Sequence, residues 1–152
     1  MKVHDAMVRD VQACSADSNL ESVATVMWDG NIGAVPVVDE GGKPIGMVTD
    51  RDIAMAAALN HKPLWELTSQ QVVRDRTVYT CHMQDDVKTA MKIMWAQKIR
   101  RLPVVDSAGK LQGILSIDDI IELAERGMRG QGTPELSYDD TMNTLKAVGK
   151  RH

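Results

Sequence analysis

Residues 99–120 read IRRLPVVDSAGKLQGILSIDDI, and the fold prediction begins from this stretch. Two apolar runs, Leu102–Val105 and Leu111–Leu115, flank a short polar turn that contains a glycine. Ser116 follows the second run, and Asp119 lies three residues further on. Apolar runs joined by such a turn are typical of a β-hairpin, and a hydroxyl residue with an acidic residue three positions later is typical of a helix start. The stretch therefore predicts strand, turn, strand and helix.

The same pattern occurs 67 residues earlier as GAVPVVDEGGKPIGMVTDRDI, residues 33–53. Segment 11–53 aligns with segment 78–120 without a gap, and fourteen of the 43 aligned positions are identical. Each copy begins with a short extended piece, Val11–Ala13 or Val78–Thr80, followed by a helix, the two strands and a second helix. One such unit is marginally stable alone, because a small chain buries too little surface. We therefore predict an α+β fold of two β-α-β-β-α repeats, related by a pseudo-twofold axis within one domain, with ligand-sized grooves between them.

Glycine and proline mark the predicted boundaries of these parts. Pro63 ends the second helix of the first copy, and Gly127, Gly130 and Gly132 follow the second helix of the second copy. A last short helix can begin at Thr133-Pro134 or after Ser137, with a thin apolar stripe of Tyr138, Met142 and Leu145. The predicted parts are repeat 1 at 1–59, a linker at 60–71, repeat 2 at 72–126 and a C-terminal tail at 127–152.

The first helix of each copy has apolar residues at the spacing of one helix face. In copy one, Ser18 is the predicted N-cap, with Glu21 completing a capping box; in copy two, the predicted cap is Asp85. Trp28 and Trp95 end these helices and are predicted to be packing residues. The two stripes are Leu20, Val23, Ala24 and Met27 in copy one and Val87, Ala90, Met91 and Met94 in copy two.

Composition excludes several classes of protein. The chain has 152 residues, 43% hydrophobic and 26% charged, as ordinary globular proteins do. No run approaches the ~20 apolar residues of a membrane span, and no signal peptide opens the chain, so we expect a cytoplasmic protein. A net charge of −3 argues against nucleic acid as a partner. Two cysteines at equivalent positions, Cys14 and Cys81, are too few for a disulfide scaffold and are predicted to be small buried residues, which leaves a redox role open. No catalytic or metal-binding motif occurs, so we expect neither an enzyme nor a metalloprotein.

The candidate site lies where a strand leads into a helix, at Thr49–Asp52 and at Ser116–Asp119. One interpretation is structural, because Thr or Ser with Asp three residues later closes a capping box. The other is functional: a helix N-terminus attracts phosphate, and an Asp beside it can accept hydrogen bonds from two ribose hydroxyls. The sequence leaves both interpretations open.

Arginines make the second copy different from the first. Arg100 and Arg101 precede the strand in copy two, where copy one has Gly33 and Ala34. Guanidinium groups bind phosphate oxygens through two hydrogen bonds, so the arginine pair favours a phosphate-bearing ligand at copy two. The alternative is an exposed basic pair. Arg51 places a further cation beside the copy-one helix start.

The doubled motif resembles a pair of cystathionine-β-synthase (CBS) domains, also called a Bateman module, over about residues 5–126. The layout is similar to that of small stand-alone bacterial CBS pairs of the hypoxic-response type. The resemblance implies that Asp52 and Asp119 bind ribose and that Thr49 and Ser116 supply the hydroxyl contacts. It implies phosphate contacts from Arg100 and Arg101, which copy one lacks. The short first strands would contact adenine, through Ala13, Cys14, Thr80 and Cys81.

The resemblance also implies a function. CBS pairs commonly sense AMP, ADP or ATP in the groove between the repeats, and less often S-adenosylmethionine, and they usually form homodimers. We therefore expect a regulatory nucleotide sensor that requires no cofactor and whose ligand changes how the two halves, or a partner protein, pack. The alternative is a ligand-free, stress-associated interaction protein, which the apolar rim of copy one and the detached C-terminal segment favour.

Overall fold

A computed structural model describes residues 1–129, 136 and 138–149, without the side chains of 125–129. It divides into two compact units that interleave along the chain. The first-repeat unit contains residues 11–78 and 109–111. The second-repeat unit contains residues 1–10, 79–108 and the described residues from 112 onward. The compact units therefore differ from the linear division predicted above, because the first ten residues join the second repeat.

The helices and strands follow the repeated order that the sequence predicts. In chain order they are α1 Val3–Ala6, β1 Val8–Arg9, β2 Cys14–Ser15, α2 Leu20–Gly30, β3 Ala34–Val38, β4 Pro44–Thr49, α3 Asp50–Asn60, a 3-10 helix Leu64–Glu66, α4 Ser69–Val73, β5 Cys81–His82, α5 Val87–Gln97, β6 Arg101–Val105, β7 Leu111–Ser116, α6 Ile117–Arg129 and α7 Tyr138–Gly149. The predicted α+β class is confirmed. The predicted first strands are confirmed at Cys14 and Cys81, where pairing begins, but residues 11–13 and 78–80 ahead of them are not strands.

Each unit has one small sheet. In the first-repeat unit the order is β2-β3-β4, with β2 parallel and β4 antiparallel to β3. In the second-repeat unit the order is β1-β7-β6-β5, and the extra strand β1 runs antiparallel to β7. The hairpin turns contain Gly42 and Gly109, both at φ +79°, a conformation that residues with a Cβ rarely adopt. The sheets therefore share the hairpin and differ at one edge.

The predicted helix stripes form the two cores. Leu20, Val23 and Met27 are buried with β3 and β4 residues, and all four stripe residues of α5 are buried. The prediction for the tryptophans is wrong: Trp28 is 86% and Trp95 is 58% exposed. They follow the stripe in sequence, but a single step rotates a side chain ~100° around a helix and carries it off the buried face.

The predicted N-caps of α2 and α5 are each wrong by one residue. Asn19 caps α2, and its side chain accepts a hydrogen bond from the Ser22 N–H at 2.8 Å. Asp86 caps α5 and accepts from the Lys88 N–H at 2.9 Å. In both cases two polar residues of the capping type are adjacent, so sequence alone did not select between them.

Residues 60–71, predicted as a linker, carry regular structure and core residues. The 3-10 helix and the start of α4 lie there, and Leu67 is buried in the first-repeat core. In the second-repeat unit, α1 takes the equivalent place: Val3 and Ala6 join that core. The helix ahead of each repeat in the sequence therefore packs into the core of the other repeat.

The C-terminal helix α7 packs on α5 and α6 of the second-repeat unit. The predicted stripe is wrong in part: Tyr138 is 53% exposed, while Thr141, Thr144 and Val148 are buried. Of the two predicted starts, Thr133-Pro134 and Ser137 both lie outside the described residues. Within the part of the chain that is described, no helix is long and apolar enough to cross a membrane.

Candidate functional site

The start of α3 is a complete capping box. The Thr49 N–H donates to Asp52 Oδ2 at 2.9 Å, and the Asp52 N–H donates to Thr49 Oγ1 at 3.2 Å. These bonds satisfy one N–H ahead of the helix and one in its first turn. The structural interpretation of Thr49 and Asp52 is therefore confirmed, and it leaves Asp52 Oδ1 for another partner.

That partner is Arg76, which the sequence analysis missed. Arg76 Nη2 lies 2.9 Å from Asp52 Oδ1, and the Asp52 side chain is only 13% exposed. Burial acts to raise the pKa of Asp52, but the hydrogen bonds from Arg76 and Thr49 outweigh it, so the pKa lies below its ordinary value. The carboxylate of the first-repeat site is thus ionised and already paired.

A cavity of about 320 Å³ opens beside this ion pair within the first-repeat unit. Arg51, Arg76 and Asp52 line it together with polar Asn60 and Gln71. The volume is at the lower end of the range for small-molecule sites. The predicted cation Arg51 therefore shares a cavity with Asp52, and Arg76 adds a second positive charge there.

The start of α6 has the same capping box as α3, with one additional hydrogen bond between its two residues. The Ser116 N–H donates to Asp119 Oδ2 at 2.8 Å, the Ser116 hydroxyl donates to the same oxygen at 2.6 Å, and the Asp119 N–H donates to Ser116 Oγ at 3.2 Å. Among the described residues, Asp119 Oδ1 has no hydrogen-bond or ion-pair partner. Within the described part of the chain, the second-repeat site therefore offers one carboxylate oxygen without a partner.

A backbone hydrogen bond ties each helix start to the strand that precedes the hairpin. The Asp50 N–H donates to the Gly33 carbonyl at 3.2 Å, and the Ile117 N–H donates to the Arg100 carbonyl at 2.9 Å. This bond places Arg100 at the start of α6. Its Nη2 lies 3.6 Å from Asp118 Oδ1, and both side chains are about half exposed, so the pair is weak.

Arg101 is the second predicted phosphate contact. It is half-buried at the first position of β6, and it has no partner within the described ranges. The Arg101 guanidinium, which is unpaired among the described residues, is available to an anion. Of the two predicted arginines, Arg101 is thus unpaired among the described residues, and Arg100 makes a weak ion pair with Asp118.

The cysteines of the predicted adenine-contacting strands differ in burial. Cys14 is half-buried with its Sγ 3.5 Å from Ser69 Oγ, and Cys81 is buried. Burial, and secondly the Asp85 charge, raises the pKa of Cys81 to about 12; burial also raises the pKa of Cys14. Ala13 and Thr80 lie one residue ahead of β2 and β5. Each cysteine is paired in register with the next strand, Cys14 with Val37 and Cys81 with Val104.

The chain belongs to the CBS domain family, whose model matches residues 3–59 and 71–126. This confirms the resemblance on which the sequence interpretation depends. Uncharacterized protein YlbB of Bacillus subtilis (strain 168) is 34% identical over 143 residues, which cover 91% of this chain and 93% of that protein.

Two solved structures have the same fold. Hypoxic Response Protein I, with two coordinated zinc ions, superposes with a TM-score of 0.73 and 24% identity over 80% of this chain and 98% of that one. The CBS domain pair of MJ0100, in complex with 5′-methylthioadenosine and S-adenosyl-L-methionine, has a TM-score of 0.68 and 30% identity over 81% of this chain and 94% of that one. In the described part of the present chain, no cluster of three His, Cys, Asp or Glu side chains could hold a metal.

Proposed function

We propose that this chain is a regulatory module that binds an adenine nucleotide, AMP, ADP or ATP, at its T/S-x-x-D helix starts. One observation carries the proposal: Asp119 is fixed at the start of α6 by three hydrogen bonds while its Oδ1 remains unpaired among the described residues. A carboxylate held in this way can accept ribose hydroxyls without first losing another partner. The helix N-terminus and Arg101 would attract the phosphate.

The ligand class follows from the chemistry of these groups. Ribose explains the carboxylate, and phosphate explains the arginines, so a nucleotide uses more of the site than S-adenosylmethionine does. The short strands β2 and β5, with Cys14 and Cys81, would contact the base. The ligands of the MJ0100 CBS pair both contain adenosine, which supports this choice. No catalytic role and no further cofactor form part of the proposal.

Isothermal titration calorimetry with AMP, ADP, ATP and S-adenosylmethionine tests the proposal. Asp119→Ala should weaken nucleotide binding about 10–100-fold, because a charged hydrogen bond to ribose is lost. Asp29→Ala, which removes an exposed carboxylate from α2, is the matched control and should bind as the wild type does. Absence of heat with all four ligands at millimolar concentration contradicts the proposal. An unchanged affinity in Asp119→Ala with a lower melting temperature would leave only the capping role.

A second candidate function is self-association, and a different observation favours it. Trp28 and Leu59 are 86% and 73% exposed on the neighbouring helices α2 and α3, whereas α7 covers part of the equivalent pair α5 and α6. Exposed large apolar side chains on adjacent helices are typical of an interface. The occupant we propose is the same face of a second copy, which gives a homodimer that could also present a surface to a partner protein.

Sedimentation velocity tests this candidate. The wild type should sediment as a dimer, and Trp28→Glu with Leu59→Glu should sediment as a monomer, because two charges would be buried unpaired. Trp65→Glu, at a 62% exposed tryptophan on the 3-10 helix, should remain dimeric. A wild-type monomer at all concentrations contradicts the candidate.

A further inference from the structure

We propose that the Asp52–Arg76 ion pair lowers the nucleotide affinity of the first-repeat site, so that ligand fills the second-repeat site first. The inference rests on the proposed function and adds an order of binding to it. The two helix starts have the same box of hydrogen bonds, so the difference lies in what occupies the remaining carboxylate oxygen. In the first repeat, the guanidinium of Arg76 occupies the remaining oxygen of Asp52.

The contacts at Asp52 leave little of the carboxylate for a ligand. Oδ2 accepts from the Thr49 N–H, and Oδ1 lies 2.9 Å from Arg76 Nη2. The side chain of Arg76 is 54% exposed and covers a carboxylate that is itself only 13% exposed. A ribose hydroxyl that approaches Asp52 from the solvent must therefore displace Arg76 or share a neutralised carboxylate with it.

The second-repeat unit contains the equivalent arginine in a different place. Arg9 lies 67 residues before Arg76, which is the spacing of the repeat. Its Nη2 donates to the His4 carbonyl at 3.2 Å, and among the described residues it makes no ion pair with Asp119. Arginine at the same repeat position thus pairs with one aspartate and, among the described residues, not with the other.

The local backbone explains why the two arginines differ. Arg9 belongs to β1 and pairs in register with Gly113 of β7, so the strand fixes its position. Arg76 instead follows α4 in a turn, where its N–H donates to the Val73 carbonyl at 3.0 Å. Val8 favours a strand at the position where Asp75 favours a turn. The turn leaves the Arg76 side chain free to reach Asp52.

The test isolates the first-repeat site with Asp119→Ala and then removes the ion pair. AMP and ATP are titrated calorimetrically into the wild type, Asp119→Ala, Asp119→Ala with Arg76→Gln, and Asp119→Ala with Arg76→Lys. We expect the glutamine variant to bind about fivefold more tightly than Asp119→Ala alone, since a partly exposed ion pair no longer competes. The lysine variant keeps the charge and should remain close to Asp119→Ala.

A matched control uses the equivalent arginine. Arg9→Gln in the Asp52→Ala background should leave the affinity of the second-repeat site unchanged, because Arg9 pairs with a carbonyl and not with Asp119. Circular dichroism and melting temperature verify that every variant is folded.

The outcomes separate this inference from the proposed function. Nucleotide binding by the wild type with unchanged affinity in the glutamine variant overturns the role of the ion pair and leaves the proposed function standing. Weaker binding by the glutamine variant also overturns it, because Arg76 would then be a phosphate ligand. Absence of binding by all the proteins contradicts the proposed function, and the order of binding with it.

Discussion

The ten residues ahead of each repeat occupy matching positions and have different structures. Residues 1–10 form α1 and strand β1 in the second-repeat unit, whereas residues 68–77 form α4 and a turn in the first-repeat unit. Both helices bury side chains in a core, Val3 and Ala6 in one and Val73 in the other. Helices α1 and α4 thus pack in the same way, but α1 is followed by a strand and α4 by a turn.

The consequence of this difference appears at the helix starts. A strand in one unit holds Arg9 away from Asp119, and a turn in the other allows Arg76 to bind Asp52. Two duplicated sites therefore differ in charge although their motifs are nearly identical. The second-repeat unit differs once more, because α7 covers α5 and α6.

The largest expected effect is at the glycine that faces β1. A Cβ on Gly113 would lie 2.4 Å from the Val8 carbonyl oxygen, whereas a Cβ on the equivalent Gly46 would meet the Val73 side chain at 2.6 Å. Backbone paired in a sheet cannot move aside as a side chain can. We expect Gly113→Ala to lower the free energy of unfolding by about 3 kcal/mol and Gly46→Ala by about 2 kcal/mol, because the Val73 Cβ, at 2.7 Å, must also shift. Urea denaturation measures both, and equal losses would contradict this account of the two sheet edges.

A smaller effect is expected where α7 packs. Val148 is 2% exposed, and its truncation in Val148→Ala should lower the free energy of unfolding by about 2 kcal/mol through lost apolar burial. Amide hydrogen exchange in α7 should become faster at the same time. Tyr138→Ala, on the 53% exposed side of the same helix, should change stability by less than about 0.5 kcal/mol. If Val148→Ala matches this control, α7 does not stabilise the second-repeat unit.

The ion pair of the first repeat predicts a pH dependence. The folded pKa of Asp52 is lowered, so its carboxylate stabilises the fold above its ordinary pKa of about 3.9 and stops doing so as the pH falls through the lower folded value. Asp52→Asn should therefore cost about 1 kcal/mol at neutral pH and progressively less below about pH 4. Denaturation across this range measures the difference. In an Arg76→Gln background the neutral-pH cost should shrink, and a constant cost would exclude the ion pair as its source.

The smallest expected effect distinguishes the two cysteines. Cys81 is buried with its pKa raised to about 12, whereas Cys14 is half-buried. Since the thiolate is the reactive form, a thiol reagent at neutral pH should label Cys14 slowly and Cys81 more slowly still. Mass spectrometry of the native protein over time measures both rates, and denaturant should abolish the difference. Faster labelling of Cys81 would contradict the burial described for β5.

Several features were predictable because neighbours in sequence determine them. The hairpins depend on glycine at φ +79°, at Gly42 and Gly109, and the boxes at Thr49 and Ser116 join residues only three apart. The N-caps were predicted less well, since Ser18 and Asn19 are both suitable and only the packed helix selects Asn19. The exposure of Trp28 was mispredicted because its burial depends on the direction of the helix face.

The duplication, the α+β class, the order of helices and strands, and both helix-start boxes were predictable from the residues, because periodicity and hydrogen bonds between near neighbours depend on local residue order. Three features required the folded chain: the first ten residues join the second core, α7 covers α5 and α6, and Arg76 binds Asp52 across 24 positions. These contacts depend on the path of the backbone between distant residues. Arg9 and Arg76 occupy equivalent repeat positions. Arg9 lies in a strand and Arg76 lies in a turn, so their side chains have different partners.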